Sequence, residues 1–244
     1  MRWPLALWRV LRLGVHVLHG VVVMALRFPV LDEAGRQARI GWWSAGLLQA
    51  LGVGLLARGT PRPGATLLLA NHVSWLDIAA LHAVVPQARF VSKADVLRWP
   101  VLGWLIRNAG TLFIERERKR DALRVVHAMA EALRAGQTVA VFPEGTTGTG
   151  PVPLPFHANL LQAAVATGTP VQLAVLRFAD PQHHCSPAVH YMGDTSLLQS
   201  LWRVACADGL RVHVSLLLPQ ATAHADRRAL AEHLRQQVAE QLQP

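Results

Sequence analysis

Apolar positions fall into two regimes along this chain. Near the N-terminus they form long runs. Arg2, Arg9 and Arg12 lead into Leu13–Leu26, which Arg27 closes, and a polar stretch follows from Asp32 to Arg39. Ile40–Ala57 is a second run, with Trp42 and Trp43 near its start and Arg58 at its end. Neither run clearly reaches the roughly 20 residues that span a bilayer squarely. Both carry Gly, and the first carries His16 and His19. The pattern predicts a membrane-associated helical hairpin lying in, or partly inserted into, one leaflet, with Trp and Arg at the headgroups. Two tilted spans and ordinary soluble core helices are the rival readings. A cleaved signal peptide is disfavoured, because no A-x-A-like site follows the first run.

Gly59–Gly64 (GTPRPG) is turn-rich and predicts a boundary between a hairpin over 1–58 and an α/β domain over 59–244. Beyond it, strand-like and helical patterns alternate. Strands are predicted at Thr66–Ala70, Arg89–Ser92, Thr111–Ile114, Thr138–Phe142, Val171–Phe178 and Arg211–Leu218. Helices are predicted at Ser74–Val85, Trp99–Asn108, Asp121–Ala135, Ala158–Ala166, Ser196–Ala207 and Ala225–Leu242. The alternation implies an α/β fold, a mixed sheet flanked by helices.

Composition narrows the partners. Hydrophobic residues make up 52% and charged residues 16%, which excludes disorder and leans toward contact with lipid. The net charge of +9 implies an anionic partner, a nucleic acid or an anionic membrane. The apolar excess favours the membrane, and nucleic acid is not expected. With 1 Tyr and 8 scattered Trp there is no RNA-stacking signature, and zinc-finger spacing is absent. The 2 cysteines, Cys185 and Cys206, form no CxxC pair and read as free thiols in a reducing compartment. His183-His184-Cys185 has no further ligand at a telling distance, so no metal is expected.

Three stretches carry candidate chemistry. Asn71-His72-Val73-Ser74-Trp75-Leu76-Asp77 sits where a strand gives way to a helix, a place where reactive side chains collect in α/β sheets. His72 can take a proton from a hydroxyl, and Asp77 can fix its tautomer and stabilise the imidazolium. The same residues fit a capping box in which Asp77 only caps and His72 only packs. Val139–Gly148 is an apolar strand broken by Pro143-Glu144-Gly145, with a Gly- and Thr-rich continuation. There small residues let backbone amides face a ligand, and Glu144 can bind a substrate hydroxyl or simply end a strand. Gly110–Arg116 delivers a cation at a strand end, with Arg118, Lys119 and Arg120 behind it. An Arg suits phosphate or carboxylate; for the last three cations a solvated or lipid-facing run is the plainer reading.

Taken in order, Asn71–Asp77, Gly110–Arg116 and Phe142–Thr147 resemble the glycerolipid acyltransferase family, which includes the PlsC-like 1-acylglycerol-3-phosphate acyltransferases. The likeness runs from about Leu67 to Phe178. It implies His72 as general base with Asp77 as partner. It also implies Arg116 at the acceptor headgroup and Glu144, Gly145 and Thr146 shaping the acceptor site. The reaction implied is O-acyl transfer from acyl-CoA or acyl-carrier protein to a lysolipid hydroxyl, without a cofactor, at the cytoplasmic face of the inner membrane.

Two departures bear on the acceptor. Thr147 stands where many lysophosphatidate enzymes have Arg, which Lys93 or Arg118 to Arg120 would have to replace. Pro170-Val171-Gln172-Leu173 keeps only the first Pro of the family's fourth region. The acceptor expected is 1-acylglycerol-3-phosphate, with lyso-ornithine lipid the close alternative. A lipid hydrolase or a non-catalytic membrane-binding protein are the other function classes.

Overall fold

A computed structural model of the protein describes residues 3–93, 103, 104, 108, 110–114, 119–223 and 225–243. The helices are α1 (Trp3–Leu26), α2 (Glu33–Ala50), α3 (Leu76–Val84), α4 (Lys119–Arg134), α5 (Gln162–Thr167), α6 (Leu197–Cys206) and α7 (Arg227–Leu242). The strands are β1 (Gly54–Arg58), β2 (Thr66–Ala70), β3 (Arg89–Lys93), β4 (Leu112–Ile114), β5 (Thr138–Val141), β6 (Val171–Ala179) and β7 (Arg211–Leu216). Most of the helix expected at Trp99–Asn108 lies outside the described residues.

The seven strands form one sheet in the order β1-β7-β6-β2-β5-β3-β4. All neighbouring pairs are parallel except β6 with β7. Strand side chains alternate between two apolar clusters, as a sheet covered on both faces requires. Leu68, Ala70, Ala174 and Leu176 join one cluster, with α2, α3 and α6. Leu67, Leu69, Leu173 and Val175 join the other, with α4, α5 and α7. β2 and β5 are buried throughout, which explains why they read as uninterrupted apolar runs.

The N-terminal expectation needs correcting. The polar stretch from Asp32 belongs to the second helix, since Asp32 caps α2 by accepting from Gly35 N at 2.8 Å. Ile40–Ala57 is not one helix. Gly52, at φ +77°, takes a left-handed conformation that ends the turn, and Gly54–Arg58 then pairs with β7. The expected division at Gly59 therefore falls between two strands of one sheet. Gln172 ties the linker down, accepting from Arg62 N and donating to Thr60 O and Leu217 O.

α1 and α2 do pack as a hairpin. Trp43 fills the notch at Gly20 and His16 the notch at Gly46. His16 Nε2 donates to Trp43 O at 2.8 Å, and Trp43 Nε1 to His16 O at 3.3 Å. α2 buries Ser44, Leu47, Leu48 and Ala50 in the domain. Arg9 holds α1 down by donating to Ala205 O and Ala207 O at the end of α6. Among the described helices α1 alone is long and apolar enough to cross a membrane. Its Trp3, Leu7, Leu11, Val15, Leu18, Val22 and Leu26 are exposed along one stripe.

Candidate active site

β2 leaves the sheet at Asn71, and the side chain manages the break. Asn71 Nδ2 donates to Leu176 O and its Oδ1 accepts from Leu176 N, each at 2.8 Å. The amide continues the β2–β6 ladder, so the backbone is free to turn and present His72.

His72 Nδ1 lies 2.8 Å from Asp77 Oδ2. The same oxygen accepts from Val73 N at 2.6 Å and Ser74 N at 2.9 Å. Two backbone donors demand an acceptor there, so the carboxylate offers His72 a lone pair and Nδ1 carries the ring proton. Nε2 is left with its lone pair and makes no hydrogen bond among the described residues. The five-residue spacing works because His72 lies before α3 and Asp77 in its first turn. Asp77 is fully buried, whereas the His72 side chain is 20% exposed, so the ring bridges a rigid support and the surface. The capping alternative is met in half: Asp77 reaches Ser74 N, but Ser74 Oγ meets only Leu76 N, at 3.4 Å. All three donors crowd Oδ2, and Asp77 Oδ1 is buried without a partner among the described residues.

The third motif meets the first from β5. Phe142 stacks on the His72 ring with centroids 4.0 Å apart and planes 14° from parallel. Glu144 accepts from His72 N at 2.8 Å with one oxygen and from Leu154 N at 2.9 Å with the other. It is 5% exposed, and burial pushes its carboxyl above the usual carboxylate range against the pull of those two amides. Glu144 is thus a clamp between two loops, with one backbone amide on each oxygen, and each oxygen keeps a lone pair for a further donor. Gly145, at φ +72° with the His157 ring 3.0 Å from where a Cβ would stand, has both a conformational and a steric reason to be Gly. Thr146 is exposed at the same turn. Gly148 N donates to His72 O at 2.7 Å, closing the loop over the backbone of the first motif. Thr147 Oγ1 is engaged with Tyr191 O.

The cations are less fully placed. β3 and β4 run parallel to β5 and end at the same sheet edge, which brings the backbone of Lys93 to that edge. Arg116 and Arg118 lie outside the described residues, and Lys119 and Arg120 open α4. His183 faces Asp180, His184 Nε2 faces Leu242 O, and the two thiols are free. Sequence reasoning missed Asn71, Phe142 and Leu154 as supports of His72. Only Asn71 carried a signal, a polar amide directly after an apolar strand.

The dyad can take a proton at Nε2 while Asp77 stabilises the charge formed on the ring. Comparison with known proteins gives the family. Residues 57–176 match the model of the family described as Acyltransferase. A 1-acyl-sn-glycerol-3-phosphate acyltransferase of Neisseria meningitidis is 38% identical over 196 residues, 79% of this chain and 76% of that one. A lyso-ornithine lipid O-acyltransferase of Pseudomonas aeruginosa is 37% identical over 213 residues, 87% of this chain and 81% of that one. The fold is shared with a crystal structure of PlsC, the 1-acyl-sn-glycerophosphate acyltransferase of Thermotoga maritima. The TM-score is 0.74 at 20% identity, covering 99% of this chain and 94% of that one. The protein belongs to the PlsC-type acyltransferase family, and it is an enzyme of that class.

Proposed function

We propose that the enzyme moves a fatty acyl chain from a thioester donor, acyl-CoA or acyl-carrier protein, to the hydroxyl of a lysolipid. The observation that carries this reading is the His72 Nδ1–Asp77 Oδ2 bond, which leaves Nε2 as the base at the surface. Nε2 takes the hydroxyl proton as the oxygen attacks the thioester carbonyl. The tetrahedral intermediate collapses with loss of the thiolate, and the imidazolium returns the proton to it. The new ester bond replaces the thioester, and no acyl-enzyme is needed.

The exposed stripe of α1 supports a position on the membrane surface, which we place at the cytoplasmic face of the inner membrane. Membership of an acyltransferase family sets aside the non-catalytic membrane-binding alternative.

For the acceptor we propose 1-acylglycerol-3-phosphate, with lyso-ornithine lipid second; proteins with each activity are among the relatives. A phosphate monoester carries nearly two charges, so Arg116 compensates it partly and a second cation improves the match. Thr147 supplies none. The test is direct competition of the two acceptors at equal concentration, with the wild type and Thr147→Arg. The expected result is use of both by the wild type and a shift toward the phosphate acceptor in the variant. Use of the phosphate acceptor alone by the wild type, without a shift in the variant, would sink the charge account.

A further inference from the structure

Part of the +9 charge is gathered on one open face of the sheet. On β6, β7 and β1 the residues Leu176, Val212, Val214 and Leu55 point to the cluster under α2, α3 and α6. Their neighbours alternate to the opposite face. There Arg177 pairs across the ladder with His213, and His213 pairs with Leu56 of β1. Arg211 and Arg58 stand on the same face, two positions to either side along their strands. Arg58 and Arg211 are exposed, and Arg177 and His213 are half-buried. α7 covers β6 through Leu234, Val238 and Leu242 against Val171, Leu173 and Val175, but β7 and β1 have no such cover on this face among the described residues. His184 extends the strip, its carbonyl accepting from Arg177 at 3.1 Å. None of these cations sits in an ion pair with a described carboxylate. Burial, and then Arg177, Arg58, Arg211 and His184 around it, all make His213 harder to protonate.

The strip faces away from the lipid-directed helix. α1 lies beyond α2 and α6, on the other side of the sheet, so a bilayer against Leu11 and Leu18 leaves the strip toward water. Its inner edge reaches the site: Arg177 lines a small hollow with Thr149, Gly150 and Val73, the residue after His72. From β2 to β7 is two strand spacings, about 10 Å. A soluble, anionic, extended partner that must reach His72 fits this placement. A compact cofactor phosphate engages one or two cations, whereas an acidic protein surface meets cations spread over three strands.

We propose that Arg58, Arg177 and Arg211 form the docking strip for an acidic acyl-carrier protein that delivers the acyl thioester to His72. This rests on the acyl-transfer reading above. The experiment uses the full-length protein with one lysolipid acceptor and two donors of equal chain length, acyl-carrier protein and acyl-CoA. Wild type is compared with R58E/R211E and with R58Q/R211Q, which removes charge while keeping length; circular dichroism checks the fold of each. The ratio of kcat/KM for the carrier protein to that for acyl-CoA should fall roughly tenfold or more on charge reversal, and less in the Gln variant. An unchanged ratio in both variants overturns the proposal, as does wild type that refuses the carrier protein. Lost binding to anionic vesicles with an unchanged ratio overturns it too and assigns the strip to lipid. No transfer from either donor overturns the acyl-transfer reading, and the proposal with it.

Discussion

Asp77→Asn separates a catalytic partner from a helix cap. In the wild type Oδ2 accepts from His72 Nδ1, Val73 N and Ser74 N. The two backbone donors should hold the Asn carbonyl oxygen in that place, so the ring keeps its tautomer while the negative charge is lost. A unit charge about 4 Å from the imidazolium, at an effective dielectric near 20, is worth about 4 kcal/mol. Removing it raises the barrier by up to that amount, or roughly 10³-fold in kcat. The amide NH₂ takes the Oδ1 position, which already has no partner among the described residues, so one unsatisfied buried atom replaces another and the melt should shift little. The assay is initial-rate kinetics on purified protein in mixed micelles, alongside a thermal melt. Turnover within about tenfold of wild type, far from the expected loss, with only a stability loss on the order of 1 kcal/mol, would show Asp77 to be a cap and refute the dyad.

Other consequences follow from single features. Glu144→Ala orphans His72 N and Leu154 N, at about 1–3 kcal/mol each, so Tm and kcat should fall together; Glu144→Gln, which keeps one acceptor, should be milder in the same melt and rate assays. His82 is 6% exposed, Nδ1 has no hydrogen-bond partner among the described residues, and burial pushes its pKa down from 6.5 to about 4. The folded state accommodates only the neutral ring, so this contribution is complete above pH 6.5 and is lost as pH falls toward 4. That is about 3 kcal/mol, which urea melts of wild type and His82→Phe across this range should show as a pH slope missing from the variant. Leu11→Glu with Leu18→Glu puts charges on the exposed stripe of α1 and should weaken vesicle binding at least tenfold, by flotation, with an unchanged melt.

The fold was legible where burial is symmetrical and local. β2, β5 and β6 are covered on both faces and stood out as apolar runs, and Ser196 and Asp226 mark helix starts through their own caps. β1 was hidden because GLLAR continues the apolar run of α2, and only the left-handed Gly52 divides them. Its partner β7 lies at the far end of the chain, which no local pattern signals. The dyad was readable because its two members are neighbours in sequence. The groups that hold it were not: Glu144 lies 72 residues from His72, and Leu176 lies 105 from Asn71. Such pairings are set by the order of strands in the sheet.

The most direct test follows thiol release from a radiolabelled acyl thioester with and without lysolipid, for wild type and His72→Ala. The account predicts release only when acceptor is present, one acylated lipid per thiol, and a loss of roughly 10²–10⁴-fold in a folded, membrane-bound His72→Ala protein. Thiol release without acceptor, or a variant that keeps more than about a tenth of wild-type turnover, would contradict it.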